Sequence, residues 1–266
     1  MRAPAAAPDP STTANMSNVI TPEGFQRELV EIAEQYSLLH CRSLISVRQY
    51  LPAYELVRKY IPAGRHVLDW GAGNGHFSYF LMRSGYKTSG FGFDNMPEVC
   101  SGLGPEAYDY RRGSDPIRLP FEDRSFDAVL SIGVLEHVRE TGGDEIASLR
   151  EIRRILRPGG FFICVHLPNR CSWIEFLARA LGRSSHRFSY TQTDILRLTG
   201  NAGLRVIEIG RYGVLPRNLW SGEMLRAIGN WPPAAGAYQL ADSILSSILR
   251  PVCQNYWFVA GPDQLP

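Results

Sequence analysis

The segment Val67-Leu68-Asp69-Trp70-Gly71-Ala72-Gly73-Asn74-Gly75-His76-Phe77 constrains this chain more than any other. A short apolar run closes on an acid, glycines follow at alternate positions, and Phe77 to Leu81 begin an apolar pattern of helical spacing. A strand–turn–helix unit of this kind belongs to a layered α/β sheet. Glycine has no Cβ, so the turn's backbone can come close to a bound cofactor. The spacing is not that of a dinucleotide fingerprint: G-x-G-x-x-G needs its last glycine where His76 stands, and here that glycine comes one residue early, at Gly75. Asp69 is also foreign to that pattern, because at the strand end it would face a pyrophosphate of like charge. It suits a ligand that presents a positive charge, such as an α-amino group or a sulfonium.

Strands alternating with helices continue downstream. The apolar runs predict strands over His66–Trp70, Lys87–Phe93, Phe126–Ser131 and Phe161–His166, with helices near Gly75–Ser84 and Asp144–Leu156. That order argues a doubly wound, mostly parallel sheet. Upstream, Thr21-Pro22-Glu23 reads as a cap with proline in the first turn, and Phe25, Leu29, Ile32, Ala33 and Tyr36 keep helical spacing. A second helical stretch covers Leu44 to Tyr60, broken near Pro52. Thr191–Ala202 reads as a helix, with strands at Leu204–Tyr212 and Asn255–Ala260. The expected organisation is a disordered tail over 1–20, rich in Ala, Pro, Ser and Thr, then a helical cap over 21–60. A cofactor-binding core over 61–212, an insertion over 213–254 and a last strand with a tail over 255–266 complete it.

Composition narrows the partners. A net charge of +2, carried almost wholly by arginine and scattered along the chain, gives no reason to expect nucleic acid. Five cysteines form no C-x-x-C pair, which fits a reduced, cytoplasmic protein. No apolar run approaches the ~20 residues of a membrane span. The residues before Asn18 lack the apolar stretch of a secretory signal.

Four further segments carry chemistry. In Gly90-Phe91-Gly92-Phe93-Asp94-Asn95 an acid ends a strand where an open α/β sheet holds its ligand, placed to accept from both hydroxyls of a ribose or, alternatively, to cap the next helix. Gly113-Ser114-Asp115-Pro116 leads through Leu119-Pro120-Phe121 to Ser125-Phe126-Asp127-Ala128-Val129. Ser131-Ile132-Gly133-Val134-Leu135-Glu136-His137-Val138 ends the next strand. Glu151 to Phe161 runs from an arginine-bearing helix through Arg157-Pro158-Gly159-Gly160 into another strand. In this order the segments resemble the class I S-adenosylmethionine-dependent methyltransferases, whose first motif looks like D-x-G-x-G-x-G, over roughly Ile61 to Tyr212.

The resemblance implies a seven-stranded Rossmann-like sheet with an antiparallel last strand, and S-adenosylmethionine as cofactor. Carried over residue by residue, it implies cofactor contacts from Asp69, Gly71, Ala72, Gly73, Asn74, Gly75, Asp94, Asn95, Asp115, Pro116 and Ser131, with Asp115 on the adenine amino group. The Leu-Glu-His-Val ending is similar to the quinone-, sugar- and small-molecule-methylating branch. It departs from the [DN]-P-P-[YF] of enzymes that methylate exocyclic amines, and no acid pair calls for a metal.

His137 is the candidate base, since a neutral imidazole with a pKa near ~6.5 can take a hydroxyl proton; His166 and His186 are rivals. Equally, Glu136 and His137 can simply begin a helix. The expected reaction is O-methylation of a sugar or glycolipid intermediate, with a quinone-like or other natural-product acceptor as the alternative. From another class, a nicotinamide oxidoreductase shares the layered fold. The insertion carries Trp220, Trp231 and Tyr238, then an apolar helix: packing on the sheet, a lid over the acceptor, or a weak peripheral membrane contact.

Overall fold

The computed structural model describes residues 20–36, 38–101, 108–182 and 186–263. The tail expected over 1–20 therefore lies, save Ile20, outside the described residues. Helix α1 (Pro22–Gln35) begins as the sequence predicts, with Thr21 Oγ1 accepting from the Gly24 amide at 3.1 Å and proline in the first turn. Phe25, Leu29 and Ala33 are fully buried along one face. The Leu44–Tyr60 stretch breaks earlier than Pro52. Helix α2 (Leu44–Val47) passes through a tight turn at Arg48–Tyr50 into α3 (Leu51–Tyr60). Pro52 sits in the first turn of α3, where its missing N–H has no helical partner to lose.

The α/β core runs β1 (His66–Trp70), α4 (His76–Arg83), β2 (Lys87–Gly92), α5 (Glu98–Ser101), β3 (Tyr108–Arg112), β4 (Phe126–Ile132), α6 (Glu145–Ile155) and β5 (Leu156–Pro168). It continues with α7 (Trp173–Ala180), α8 (Gln192–Asn201), β6 (Leu204–Tyr212), α9 (Glu223–Gly229), α10 (Pro232–Ile248) and β7 (Asn255–Pro262). The strands form one seven-stranded sheet of order β3-β2-β1-β4-β5-β7-β6, with only β7 antiparallel to its neighbours. The doubly wound sheet expected from the sequence is the one observed. Strand β3 escaped the sequence reading because Tyr108-Asp109-Tyr110-Arg111-Arg112 is mostly polar; as an edge strand it pairs only with β2 and buries only Tyr108.

Both faces of the sheet are covered, so its central strands read as continuous apolar runs. Leu68, Phe162 and Phe258 pack with Leu149 and Ile152 of α6 and Ile195 of α8. Val67, Leu130 and Val165 pack on the other face with Phe25, Tyr54, Phe77 and Phe80. The strand order reverses between β1 and β4, and crevices at the carboxyl ends of strands at such a point hold ligands.

The long connection after β6 is tied down by buried polar bonds. Arg217 and Asp242 pair at 2.5 Å, both nearly inaccessible, while Asp242 Oδ1 accepts from the Val214 and Leu215 amides. Asn230 Oδ1 accepts from the Leu44 amide at 3.0 Å, joining the insertion to α2. Among the described residues no helix is long and apolar enough to cross a membrane.

Candidate functional site

A cavity of ≈ 340 Å³ opens at the carboxyl ends of β1, β2 and β4. Trp70, Phe91, Phe93 and Val134 give it apolar walls, Gly71, Gly73 and Gly133 bring backbone to its floor, and Asp94, Tyr110, Pro116 and His137 supply polar edges and rim. A neighbouring recess of ≈ 410 Å³ shares Gly73 and Asp94 and adds Asn74, Asn95 and Arg112.

The three glycines of the first loop all have positive φ, for different reasons. A Cβ on Gly71 would lie 2.6 Å from Val134, and one on Gly75 would lie 2.5 Å from Pro97 and 2.9 Å from Cys100 Sγ. Those two positions serve the packing of the loop against its neighbours. A Cβ on Gly73 would meet nothing nearer than the Gly71 carbonyl at 3.7 Å, so this exposed residue fronts open space on the side of both recesses. Backbone with open room before it, apolar walls for a ring and a strand-end carboxylate at the rim fit a nucleoside-bearing cofactor such as S-adenosylmethionine.

Of the residues expected to contact a cofactor, Gly71, Gly73, Asn74, Asp94, Asn95 and Pro116 line these recesses. Five expected residues are placed differently, Gly75 among them through its packing against Pro97 and Cys100. Asp69 is 2% exposed and absent from the cavity wall. Its carboxylate accepts from Ser78 Oγ at 2.6 Å, and that hydroxyl also meets Tyr108 Oη at 2.8 Å. Burial raises the Asp69 pKa to about 6 against the lowering effect of Ser78. The expectation that Asp69 meets a ligand's positive charge is corrected to a support beneath the loop, because the side chain turns into the β1–α4–β3 seam.

Asp115 Oδ1 accepts from the Ile117 and Arg118 amides, each at 2.8 Å, and these bonds lower its pKa. The carboxylate closes its own turn through Oδ1, in the manner of short acidic side chains, one residue before Pro116 on the cavity wall. Ser131 lies inside the sheet at 0% exposure, paired in register with Trp70 and Cys164. Ala72 is buried too, its amide donating to the Phe91 carbonyl at 2.9 Å.

At the other end of the cavity, His137 Nδ1 lies 2.8 Å from Glu140 Oε2, and its ring is 6.1 Å from that of His186. His186 Nδ1 lies 3.0 Å from Glu175 Oε1 on α7. Burial opposes charge on His186, but the Glu175 bond and charge carry its pKa upward overall. Glu136, at 2% exposure, has its pKa raised to about 7 by burial.

His166 lies in β5 at the register shift between Cys164 and Leu167, at φ +65, a left-handed conformation uncommon for histidine, and its amide donates to Tyr212 Oη at 3.1 Å. Tyr50 bridges the rings of His76 at 4.6 Å and His166 at 5.0 Å. Burial holds His76 at about 4 and, with neighbouring positive groups, His166 at about 3, so both rings are neutral. Neither nitrogen of His76, nor Nε2 of His166, has a hydrogen-bond partner among the described residues. Sequence reasoning named His166 but missed Tyr50, His76 and Tyr212, since nothing local shows that α3's approach, α4's first residue and β6's last will meet.

Beside His137 and His186 lies a third recess of ≈ 360 Å³, lined by Arg139, Arg170, Arg187 and Arg197 with Phe188 and Tyr190. Arg139 stacks on the Phe188 ring at 4.6 Å and Arg187 at 5.7 Å. Asp194 pairs with Arg170 and Arg197, and Glu145 with Arg139. Four guanidinium groups against two carboxylates leave the recess positive.

Residues 68–164 match the family model of the methyltransferase domain. The tRNA U34 carboxymethyltransferase of Methylococcus capsulatus is 29% identical over 185 residues, which are 66% of this chain and 46% of that protein. The probable tRNA methyltransferase 9B of Homo sapiens is 32% identical over 129 residues, 48% of this chain and 25% of that one. The chain thus spans less than half the length of either curated relative. Among solved structures, a chain of the Haloferax volcanii Trm112 methyltransferase activator complex superposes with a TM-score of 0.57 at 18% identity, covering 91% of this chain and 99% of that one; it shares the fold.

These relatives overturn the expectation that nucleic acid is no partner, since they are named for tRNA. The physical reason is that net charge is a sum, and a chain at +2 can still gather arginines on one surface. The matched segment runs from β1 into β5 of this sheet, and over that span the chain is similar to a methyltransferase domain.

Proposed function

We propose that this chain transfers a methyl group from S-adenosylmethionine to an oxygen of an acceptor that carries phosphate. The observation that carries the proposal is the arginine recess beside His137, since planar guanidinium groups match phosphate oxygens two at a time. When bound, the cofactor supplies an electrophilic methyl group on sulfur. The loop backbone at Gly71 and Gly73 would cradle it, Asp94 would accept from its ribose, and Trp70, Phe91 and Val134 would keep water from the reacting centre. Alignment of this kind is worth about 7–11 kcal/mol in favourable cases. His137, on the cavity wall, is assigned to the acceptor hydroxyl, whose proton it takes on its second ring nitrogen while Glu140 holds the first.

A tRNA nucleoside is the first reading of the acceptor, supported by the names of the relatives and by the recess in which Arg139, Arg170, Arg187 and Arg197 would meet its phosphates. A sugar or glycolipid intermediate is the second. It is favoured by apolar side chains left exposed beside the site and on the insertion: Phe176 and Leu181 near α7, Met224 on α9, and Trp231, Leu240 and Ile248 at α10.

Incubation with cofactor labelled in its methyl group, against unmodified tRNA in one vessel and a lipid-linked sugar diphosphate in another, tests both. Label in precipitable RNA supports the first reading and label in the organic extract the second. Binding of the cofactor with label in neither would overturn the phosphate-bearing acceptor.

A further inference from the structure

We propose that Glu136, His137 and His186 form a binding site for a divalent transition metal ion of the zinc or manganese class. One donor atom from each residue lies within 4.8 Å of the other two, and the carboxylate is buried while both imidazoles are half-buried. Glu136 Oε2 has no hydrogen-bond partner among the described residues. A buried carboxylate oxygen left in this way carries the full cost of its desolvation unless a cation or donor meets it.

The surroundings are built as metal sites usually are. His137 Nδ1 meets Glu140, and His186 Nδ1 meets Glu175. Imidazoles that bind metal commonly give their other ring nitrogen to a carboxylate, which fixes the tautomer and strengthens the ligand. Three carboxylates thus surround two imidazoles, a balance that favours a cation.

Two imidazoles and one carboxylate suit zinc, manganese or ferrous iron; magnesium and calcium prefer all-oxygen shells. Three protein ligands leave a coordination position open. His137 borders the cavity with Gly133 and Val134, so an ion held by it would lie beside the cavity wall. Bonds of about 2.0–2.2 Å require the donors to draw in from their present separation.

The site needs nothing from methyl transfer to exist. Where that reading also holds, an ion would occupy the second ring nitrogen of His137 that the proposed reaction gives to the proton; it would supply Lewis acidity beside the acceptor hydroxyl, whose proton would pass to solvent water.

The test is titration of the chelator-treated protein with zinc and, separately, with cobalt followed by its visible absorption. Expected is one equivalent bound at micromolar or tighter affinity, weakened at least tenfold by Glu136→Gln and by His186→Gln. Each variant is also titrated with S-adenosylhomocysteine, whose retained binding shows that the chain is folded. No saturable metal binding by the native chain overturns the proposal, and so does binding that both variants leave unchanged. Failure of methyl transfer with metal binding intact would count against the proposed activity alone.

Discussion

Gly71 and Val134 sit so close that a Cβ on the glycine would lie 2.6 Å from one methyl carbon of the valine. This contact joins the loop after β1 to the loop after β4, and so sets the floor of the cavity. Gly71→Ala must meet both a φ of +77 and the overlap with Val134. The expected cost is about 2–5 kcal/mol, read by urea unfolding. Gly73→Ala, whose added carbon meets open space, is expected to unfold closer to the native chain while binding S-adenosylhomocysteine more weakly.

Asp94 lies at the junction of the two recesses, its carbonyl accepting from Tyr110 Oη at 2.9 Å. Asp94→Ala keeps that backbone bond and loses only the carboxylate. Cofactor affinity is expected to fall by about one to two decades, the worth of a charged hydrogen bond of ~1.5–3 kcal/mol. Calorimetric titration checks this, and an unchanged constant would return Asp94 to a turn-capping role.

The buried carboxyl of Asp69 gives stability a pH dependence of known sign. Its folded pKa of about 6 lies above the ordinary aspartate value of 3.8, so the folded state holds the proton more tightly. Its contribution to stability is therefore fullest below pH 4, falls as pH rises from 4 to 6, and is constant above. The size of the fall is about 3 kcal/mol at one pKa unit per 1.36 kcal/mol. Asp69→Asn removes this dependence, and unfolding curves of both proteins at pH 4.5 and 7.5 measure it.

His137→Ala is expected to lower turnover by about 10²–10⁴, whether the ring takes the acceptor proton or holds an ion. Cofactor affinity should barely move, because the loop of Gly71 and Gly73 is untouched. His166→Ala separates the rivals: a neutral ring held by Tyr50 and Tyr212 binds the acceptor or packs, so its loss should raise the acceptor Michaelis constant more than it lowers turnover.

Arg217→Ala would leave Asp242 buried without its cation, although two amides still bond it. The expected loss is about 3–5 kcal/mol, with faster proteolysis across the 213–254 connection. A native-like cleavage pattern would show that the Asn230–Leu44 bond suffices to hold the insertion.

The layered sheet was legible because its signals are local. Apolar runs of strand length, glycines after β1 and helical spacing in α1 and α6 all act within one or two turns of chain, where sterics and hydrogen bonding decide the outcome. Gly71, Gly73, Asp94 and His137 were read from such segments and line the cavity. Asp69 and Asp115 were read with equal reason, and only the folded chain decides that one carboxylate meets Ser78 and the other two backbone amides. A carboxylate bonds the donors that fold around it, and most of those come from elsewhere in the chain. The same holds for Tyr50, His76 and His166, for Glu136 with His186, and for four arginines that look scattered in sequence yet line one recess. The sequence by itself determined the architecture and the glycine loop after β1. Tertiary structure decided which polar groups face the ligand, because burial and charge depend on neighbours in space.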